Sequence, residues 1–366
     1  MSGGDITVIS NTSLRIPLRA DLPKLGFGSA SLSSRGGGMK ILTKHFKRSA
    51  HEKTERSKKT YSRVVRSFRG QAEVRSRLLY GTPVSYTHLN IVSFEREFPA
   101  NFYPWRRVRD DHGVELRLCS EREGRIDLDE LISLIDSNTR VVAISAVQFA
   151  SGYRADLERI GREARAVDAL FCVDIIQGLG ALPFDLPAQF VDAACGASHK
   201  WLCSPEGCGI IYLSDRARER VNPTLVGWIS VATPWDFEDR EQPFKPTALA
   251  WESGTGPASL FYGLEQSLKL LTETGPEKIE SHLSDLTDSL CDSLAGRDYD
   301  LVSSRLPGEK SQIVCIKHRN GLTSNQLAAT LEQQNVIVSP RGDRLRIAPH
   351  FYNNMEDIAR LIEALP

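Results

Sequence analysis

From Asn90 onward, short apolar runs alternate with amphipathic stretches, and this alternation constrains the fold more than any other feature of the sequence. The runs 140–147 and 169–174 are rich in apolar and β-branched residues and have the length of buried strands. The stretches 127–135 and 156–167 carry apolar residues at helical spacing. Strands that alternate with helices predict an α/β fold, in which a mainly parallel sheet is covered on both faces.

Further elements are predicted along the same part of the chain. Strands are expected at 114–119, 191–195 and 209–213. After Gly256 the pattern becomes mostly helical, with helices expected at 259–274, 277–294, 324–334 and 355–365, and strands at 312–317, 336–339 and 344–348. We therefore predict a large α/β domain over 90–255, followed over 256–366 by a helical connection and a small α+β domain.

Residues 1–89 differ from the rest of the chain in charge and in patterning. They contain 17 basic and 5 acidic residues, whereas 90–366 contain 29 basic and 41 acidic residues. Apolar periodicity is weak in 1–89, which predicts a poorly ordered or aberrant segment. A basic arm of this kind can bind nucleic acid, so a nucleic-acid-binding or scaffold protein is one alternative. Sparse aromatic residues and the lack of a known binding module disfavour it.

Composition excludes several other classes of protein. No apolar run reaches the length of about 18 residues that a membrane span requires, and the first residues do not have the pattern of a signal peptide. The seven cysteines lie mostly in apolar runs, which predicts reduced thiols in a cytoplasmic protein. Neither a dinucleotide-binding glycine motif nor a Walker loop occurs. The spacing of His199, Cys203 and Cys208 does not fit a zinc site, so no metal is expected.

One lysine and one aspartate stand where an α/β sheet binds its ligands. Asp174 ends an apolar strand, and Lys200 follows a second short strand and precedes a turn rich in proline and glycine. Ligands of open α/β sheets bind at the carboxyl ends of the strands. A lysine can form an imine with an aldehyde, and a carboxylate can keep a pyridine nitrogen protonated. Taken singly, each residue has a plainer interpretation, as a turn cap or a surface lysine.

Taken together, the motifs resemble the class V aminotransferase family of enzymes that use pyridoxal 5′-phosphate (PLP). The resemblance rests on Asp174-Ile-Ile-Gln177-Gly178, on the segment Ser198-His199-Lys200-Trp201-Leu202 with the Pro-x-Gly-x-Gly turn that follows it, and on their order. It extends over about 90–366. The family includes cysteine desulfurases, selenocysteine lyases, kynureninases and isopenicillin-N-epimerase-like proteins. The resemblance implies the aspartate-aminotransferase-like fold of PLP-dependent transferases, fold type I.

The resemblance also implies roles for single residues. Lys200 is the expected Schiff-base lysine, and Asp174 the partner of the pyridine nitrogen. Gln177 matches the residue that hydrogen-bonds the phenolic oxygen of the ring. Ser198 and His199 lie where the family holds the phosphate and the ring.

Two further segments extend the predicted site. The segment 97–105 is similar to the loop that covers the cofactor, with Phe98 at the stacking position, where desulfurases carry a histidine, and Asn101 expected near the substrate. Arg346 is similar to the arginine that binds the substrate carboxylate through two parallel hydrogen bonds. Glu252-Ser253-Gly254-Thr255 resembles the segment whose threonine reaches the phosphate in the neighbouring subunit, which implies a homodimer with a shared active site.

The chain also departs from the family pattern. Desulfurases carry a catalytic cysteine just before the arginine segment, but here 339–344 contains no cysteine. The family asparagine near the ring corresponds to Phe149, so that contact is lost or is made by Gln148. The Thr/Ser-Glu-Gly turn that binds the phosphate is not found before Asn90. Because 83–89 resembles a translated sequencing adapter, one hypothesis is that the chain before Asn90 is partly a foreign or frameshifted junction.

These observations predict a PLP-dependent enzyme that acts on an amino acid through Lys200, as an aminotransferase, an epimerase or a lyase. A cysteine desulfurase or C–S lyase is one alternative. The other is a catalytically inactive relic of the fold that lacks one phosphate anchor.

Overall fold

The computed structural model describes residues 5–9 and 88–366. The prediction for 1–89 therefore lies outside the described residues, except at its first strand. The elements, in chain order, are β1 (Asp5–Ile9), β2 (Asn90–Phe94), α1 (Pro99–His112), β3 (Glu115–Cys119), β4 (Glu121–Arg122), β5 (Arg125–Ile126), α2 (Leu128–Ser133), β6 (Thr139–Ser145), α3 (Leu157–Ala166), β7 (Leu170–Asp174), β8 (Ala193–Ala197), β9 (Gly209–Leu213), α4 (Asp215–Arg220), α5 (Ala258–Thr274), α6 (Pro276–Leu294), β10 (Tyr299–Leu301), β11 (Val314–His318), α7 (Ser324–Gln333), β12 (Ser339–Arg341), β13 (Arg344–Ile347) and α8 (Met355–Ala364).

The larger sheet has seven strands in the order β1-β9-β8-β7-β6-β2-β3. The adjacent strands β8, β7, β6, β2 and β3 pair in parallel. Strand β9 runs antiparallel to both of its neighbours, β8 and β1. All residues of β2 and β7 are buried, as expected for central strands that helices cover on both faces. The structure therefore confirms the α/β class with a mainly parallel sheet.

The edge strand β1 was not predicted from the sequence. It pairs antiparallel with β9, from Asp5 opposite Leu213 to Ile9 opposite Gly209. The strand adds a seventh member to the sheet, and it lies in a segment whose weak periodicity gave no strand signal.

The C-terminal part forms a second, four-stranded antiparallel sheet with the order β10-β11-β13-β12. Its inner face packs on α6, α7 and α8 in a separate apolar core that includes Leu286, Leu327, Leu345 and Ile358. The predicted strand 336–339 is largely wrong, because pairing begins only at Ser339. Ile337 in the preceding stretch is 76% exposed.

Close contacts join the two sheets near 150–152. The hydroxyl of Ser311 donates to the carbonyl of Gly152 at 2.6 Å, and the hydroxyl of Ser303 donates to the carbonyl of Ser151. Gly152 has a φ of +74°, and a Cβ there would collide with the carbonyl oxygen of Ile313. Glycine is therefore required at 152 both by the backbone conformation and by the close approach of the small sheet.

Among residues 5–9 and 88–366, no helix combines the length and the apolar character that a membrane span needs.

Candidate active site

The ends of three parallel strands place the central residues of the site side by side. Ser145 ends β6, and it lies opposite Asp174, which ends β7. Asp174 in turn lies opposite Cys195 in β8, and the chain continues from that strand to Ser198 and Lys200. Because the carboxyl ends of parallel strands meet at one edge of the sheet, the motifs predicted from sequence meet there.

Asp174 is a buried carboxyl group with one strong hydrogen bond. Its side chain is 2% exposed, and Oδ1 accepts from the backbone N–H of Ile176 at 2.8 Å. Burial raises the pKa of Asp174 to about 7, and the nearby Glu97 carboxylate acts in the same direction. The Ile176 N–H and the ammonium of Lys200 act against this rise. The group is thus able to hold or release a proton near neutral pH.

Lys200 is partly buried at the same edge. Burial lowers its pKa to about 8. Asp174 favours its charged form, whereas Arg346 and Arg341 disfavour it. The ammonium lies 5.6 Å from the centre of the Phe98 ring. A lysine with this pKa is partly neutral at physiological pH, which an amine nucleophile or general base requires.

A buried carboxylate that the sequence did not single out lies near Asp174. Glu97 is 5% exposed and accepts four hydrogen bonds. The donors are the Ser145 N–H at 2.6 Å, the Ser145 hydroxyl at 2.6 Å, the Gln148 amide at 2.9 Å and the Asn101 amide at 3.2 Å. The cluster ties the start of α1 to the end of β6. The predicted substrate residue Asn101 belongs to this cluster and is only 1% exposed.

The segment 97–105 was expected to be a loop, but most of it is helical. Pro99 stands in the first turn of α1, where a missing N–H costs nothing, and Phe98 precedes it in an extended conformation. The Phe98 ring makes an edge-to-face contact with Phe149, with centroids 5.2 Å apart. The start of the helix therefore holds this ring near the Lys200 amine.

Two of the residues predicted to bind the cofactor, Gln177 and Ser198, are held by burial and by hydrogen bonds. Gln177 is buried, and its side-chain oxygen accepts from the indole N–H of Trp201 at 3.2 Å. Ser198 is fully buried, and its hydroxyl lies 3.1 Å from the carbonyl oxygens of both Pro205 and Cys208. These bonds close the loop that carries Lys200, and a phosphate contact of Ser198 stays a prediction.

His199 and Arg346 are the two other side chains with a titratable nitrogen that are predicted for the site beside Lys200. Burial lowers the pKa of His199, and the charge of Lys200 lowers it further. Burial also lowers the pKa of Arg346 to about 10. Its Nη1 donates to the carbonyl of Phe149 at 3.2 Å, so β13 projects this guanidinium towards the large domain. The residue is thus placed where it is able to meet a ligand.

Unlike the site residues described above, Thr255 is exposed to solvent. Glu252, three residues before it, is 4% exposed, and its carbonyl accepts from the hydroxyl of Ser230 at 2.6 Å. The segment Glu252–Thr255 is therefore anchored at its first residue and open to solvent at its last. Its contact with a neighbouring subunit stays a prediction.

Several buried polar atoms around the strand ends have no hydrogen-bond partner in the described part of the chain. They include Nδ1 of His199, Oε1 of Gln148 and Nε of Arg346. Buried polar atoms are nearly always paired in folded proteins, so unpaired ones at one edge of a sheet indicate a ligand. The set contains donors and acceptors beside an amine and a carboxyl group, and a polar aromatic aldehyde such as PLP fits it.

The cysteines and histidines do not assemble into a metal site within the described ranges, where no group of three or more suitable side chains is found. Cys203 lies 3.5 Å from Nε2 of His350. Cys208 is buried, and its carbonyl instead accepts from Ser198.

Comparison with known proteins decides the family. A sequence model of the family described as Aminotransferase class-V matches residues 83–361. The chain belongs to this family. The class V aminotransferase fold and its cofactor follow, so the chain is a PLP-dependent transferase or lyase of fold type I. The match begins at Pro83, before the boundary at Asn90 that the motifs suggested.

The similar proteins are named for two different activities. A probable cysteine desulfurase of Methanothermobacter thermautotrophicus is 26% identical over 285 residues, which cover 74% of this chain and 70% of the relative. The uncharacterized aminotransferase YcbU of Bacillus subtilis is 22% identical over 276 residues, which cover 75% of this chain and 71% of the relative. This class V aminotransferase is thus similar to both groups.

Solved structures agree on the fold. The apo cysteine desulfurase of Thermococcus onnurineus NA1 superposes with a TM-score of 0.71 at 20% identity and covers 82% of this chain and 76% of its own. A complex of the cystine C–S lyase C-DES with cysteine persulfide gives a TM-score of 0.67 at 19% identity, over 86% of this chain and 88% of the other.

Proposed function

We propose that this protein is a PLP-dependent aminotransferase of amino acids, with Lys200 as the residue that binds the cofactor aldehyde. The observation that carries the proposal is the pairing of Lys200 and Asp174. A partly neutral amine with a pKa of about 8 and a buried carboxyl group with a pKa of about 7 lie at one edge of the sheet. PLP chemistry requires an amine and a carboxyl group of these kinds.

Each residue of the site has a proposed task. The bound cofactor would supply a ring that withdraws electrons from the substrate α-carbon. Asp174 would keep the pyridine nitrogen of the cofactor protonated. Lys200 would hold the aldehyde of the cofactor, and its freed amine would take up the α-proton of the substrate and return it to the neighbouring carbon. Phe98 would cover one face of the ring, and Gln177, Ser198 and His199 would contact the cofactor beside the loop that carries Lys200.

The residues around Lys200 favour amino transfer over two-base epimerisation and over persulfide chemistry. Phe98, at the stacking position, has no proton to exchange, so Lys200 is the base that we assign to both proton movements. Epimerisation with two bases would need a second titratable group on the opposite face. Persulfide chemistry would need a cysteine in 339–344, and Arg341 lies there instead. Amino transfer needs one lysine that moves a proton between two carbon atoms.

We propose a homodimer whose surface includes the segment around Thr255. Trp228 and Trp235 are 40% and 74% exposed, and their rings pack together at 5.0 Å with Phe237 beside them. Nε1 of Trp228 lies 3.6 Å from the position that a Cβ on Gly254 would take. An exposed apolar cluster next to a segment with a family role in the partner's site suits a second copy of the chain. Light scattering should give twice the chain mass, and a monomer at micromolar concentration would contradict the proposal.

We also propose a cytoplasmic location. It is supported by the seven cysteines, all of which are free thiols. In an oxidising compartment, the exposed Cys203 would be open to oxidation.

The test of the main proposal is the visible absorption spectrum of the purified protein with added PLP. We expect an imine band, and borohydride reduction followed by peptide mapping should place the label on Lys200. Incubation with an amino acid should then release a keto acid. Release of sulfide or alanine from cysteine would favour the desulfurase or C–S lyase, and failure to form the band at saturating PLP would favour the inactive relic.

A further inference from the structure

The hairpin of β12 and β13 presents a row of cationic side chains on one face. Ser339 lies opposite Arg346, and Arg341 lies opposite Arg344. Residues that face each other across a hairpin, and residues two apart along a strand, share one face of the sheet. The alternate residues Leu345 and Ile347 are buried in the core of the small domain. Arg341, Arg344 and Arg346 therefore share the face that is turned away from that core.

Within the part of the chain that the structure describes, carboxylates neutralise just one of these three arginines. Arg344 is 5% exposed at its side chain, and it pairs with Glu121 at 2.8 Å and with Asp343 at 3.2 Å. Arg346 donates only to the carbonyl of Phe149, and its Nε has no partner within the described residues. Arg341 donates to the carbonyl of Pro340 at 2.7 Å and has no carboxylate partner in that part of the chain.

The two unneutralised guanidiniums are close enough to act on the same ligand. Arg341 is the diagonal neighbour of Arg346 across the hairpin, at a typical Cα separation of about 7–8 Å. The charge of Arg341 also lowers the pKa of Arg346 and that of Lys200. Two like charges close together, one of them largely buried, are costly unless an anion offsets them, and no carboxylate of the described residues pairs with either guanidinium.

We propose that Arg341 and Arg346 bind the two carboxylates of an acidic amino-acid substrate, a dicarboxylic amino acid of the aspartate or glutamate kind. The inference rests on the proposed function and deepens it. Arg346 binds the carboxylate next to the reacting carbon. Arg341, which lies where desulfurases carry their cysteine, binds the carboxylate at the far end of the side chain.

A single carboxylate cannot neutralise both arginines. A single carboxylate has two oxygens, which one guanidinium fills through two parallel hydrogen bonds. The second guanidinium would then keep an uncompensated charge beside the neutralised pair. A ligand with two carboxylates separated by a short carbon chain offsets both charges, and a neutral amino acid of the same length offsets only one.

Binding of unreactive probes tests this inference without relying on turnover. Isothermal titration calorimetry would compare glutarate with butyrate on the full-length, PLP-treated protein. We expect glutarate to bind at least about tenfold more tightly than butyrate, because one charged hydrogen-bonded contact is worth about that factor. Arg341→Gln should reduce the ratio to near one, and Arg341→Lys should keep part of it. Arg319→Gln, on an exposed pair with Asp300, is the matched control and should keep the full ratio.

The outcomes separate this inference from the proposed function. Equal binding of glutarate and butyrate by the unmodified protein, or a ratio that survives Arg341→Gln, would overturn the two-carboxylate site even where the imine band at Lys200 is present. A different outcome is a glutarate preference that Arg341→Gln abolishes, in a protein that forms no imine band with PLP. This result would support the two-carboxylate site and overturn the aminotransferase proposal. Because the unmodified protein already decides the first comparison, a variant that fails to fold does not block the test.

Discussion

Asp174 and Lys200 stabilise each other's charged form, yet burial outweighs this attraction in both residues. The pKa of Asp174 is raised to about 7 and that of Lys200 is lowered to about 8. Two groups of opposite kind therefore titrate within about one unit of each other near neutral pH. This places a proton acceptor and a proton donor at one edge of the sheet, each able to change state at the working pH.

The first prediction concerns the amine of Lys200. In the folded, cofactor-free protein, its reaction with an amine-specific acylating reagent should reach half of its plateau at about pH 8. In the denatured chain, the same peptide should require about pH 10, the ordinary range of a lysine. Competitive labelling followed by mass spectrometry measures both curves. Coincident curves for the folded and denatured protein would show that burial does not act on this amine.

The second prediction concerns the stability cost of Asp174. Its folded-state pKa lies above its ordinary value of 3.8, so the folded protein holds a proton that the unfolded chain releases between about pH 4 and pH 7. The free energy of unfolding should therefore fall as pH rises through this window and stay reduced above it. Asp174→Asn removes the titration and keeps the acceptor for the Ile176 N–H. The cofactor-free variant should be more stable than the parent at pH 8, by at most about 4 kcal/mol.

Urea unfolding at pH 4.5, 6 and 8 checks this prediction. The difference between variant and parent should grow with pH, whereas catalytic activity with PLP should be lost at all three values because the ring nitrogen loses its carboxylate. A variant less stable than the parent at pH 8 would argue against the raised pKa.

The third prediction concerns the carboxylate of Glu97. Glu97→Gln replaces one acceptor oxygen by an amide that faces donors, so at least one buried hydrogen bond is lost. We expect a loss of about 2–4 kcal/mol in the free energy of unfolding. The pKa of Asp174 should also fall, since the Glu97 charge helps to raise it. Glu158→Gln, in an exposed pair with Arg162, is the control and should cost less than about 0.5 kcal/mol.

The fourth prediction concerns the contact between the two sheets. Gly152→Ala places a Cβ at a positive φ and against the carbonyl of Ile313, which should cost about 3 kcal/mol or more. Gly296→Ala has a similar φ of +79° but meets nothing within 4 Å, so it isolates the backbone strain of about 1–2 kcal/mol. Urea unfolding of both variants gives the difference. Equal losses of unfolding free energy in the two variants would show that the close contact at Gly152 does not add to the cost of the substitution.

The sequence predicted the central sheet because its strands are buried on both faces. Such strands are continuous apolar runs, and β9 was predicted with the boundaries that the structure gives it. Helix starts were also visible, since Asp127 and Asp156 cap α2 and α3 through the backbone N–H of Glu130 and Arg159. The Asp174 and Lys200 motifs were found for the related reason that they follow such strands directly.

What the sequence did not predict depends on contacts between distant residues. Helix α1 buries only Asn101, Trp105 and Val108, and Pro104 interrupts its pattern, so its periodicity is weak. The role of Glu97 depends on donors about 50 positions away, at Ser145 and Gln148. A buried carboxylate with four donors cannot be distinguished by sequence from a surface glutamate. Nor does a motif show that Arg344 is neutralised while Arg341 is not.

Trp201, the residue after Lys200, stacks in a row of aromatic rings that joins two distant parts of the chain. The Trp201 ring stacks on His350 at 4.8 Å, and His350 stacks on Tyr352 at 4.5 Å. Trp201 belongs to the loop of the large domain, and the other two rings follow β13 of the small one. Any rotation between the domains must slide these rings past one another, one peptide bond from the reactive amine. The part of the tryptophan emission that comes from Trp201 would therefore change with any shift of these rings, before any bond in the substrate has changed.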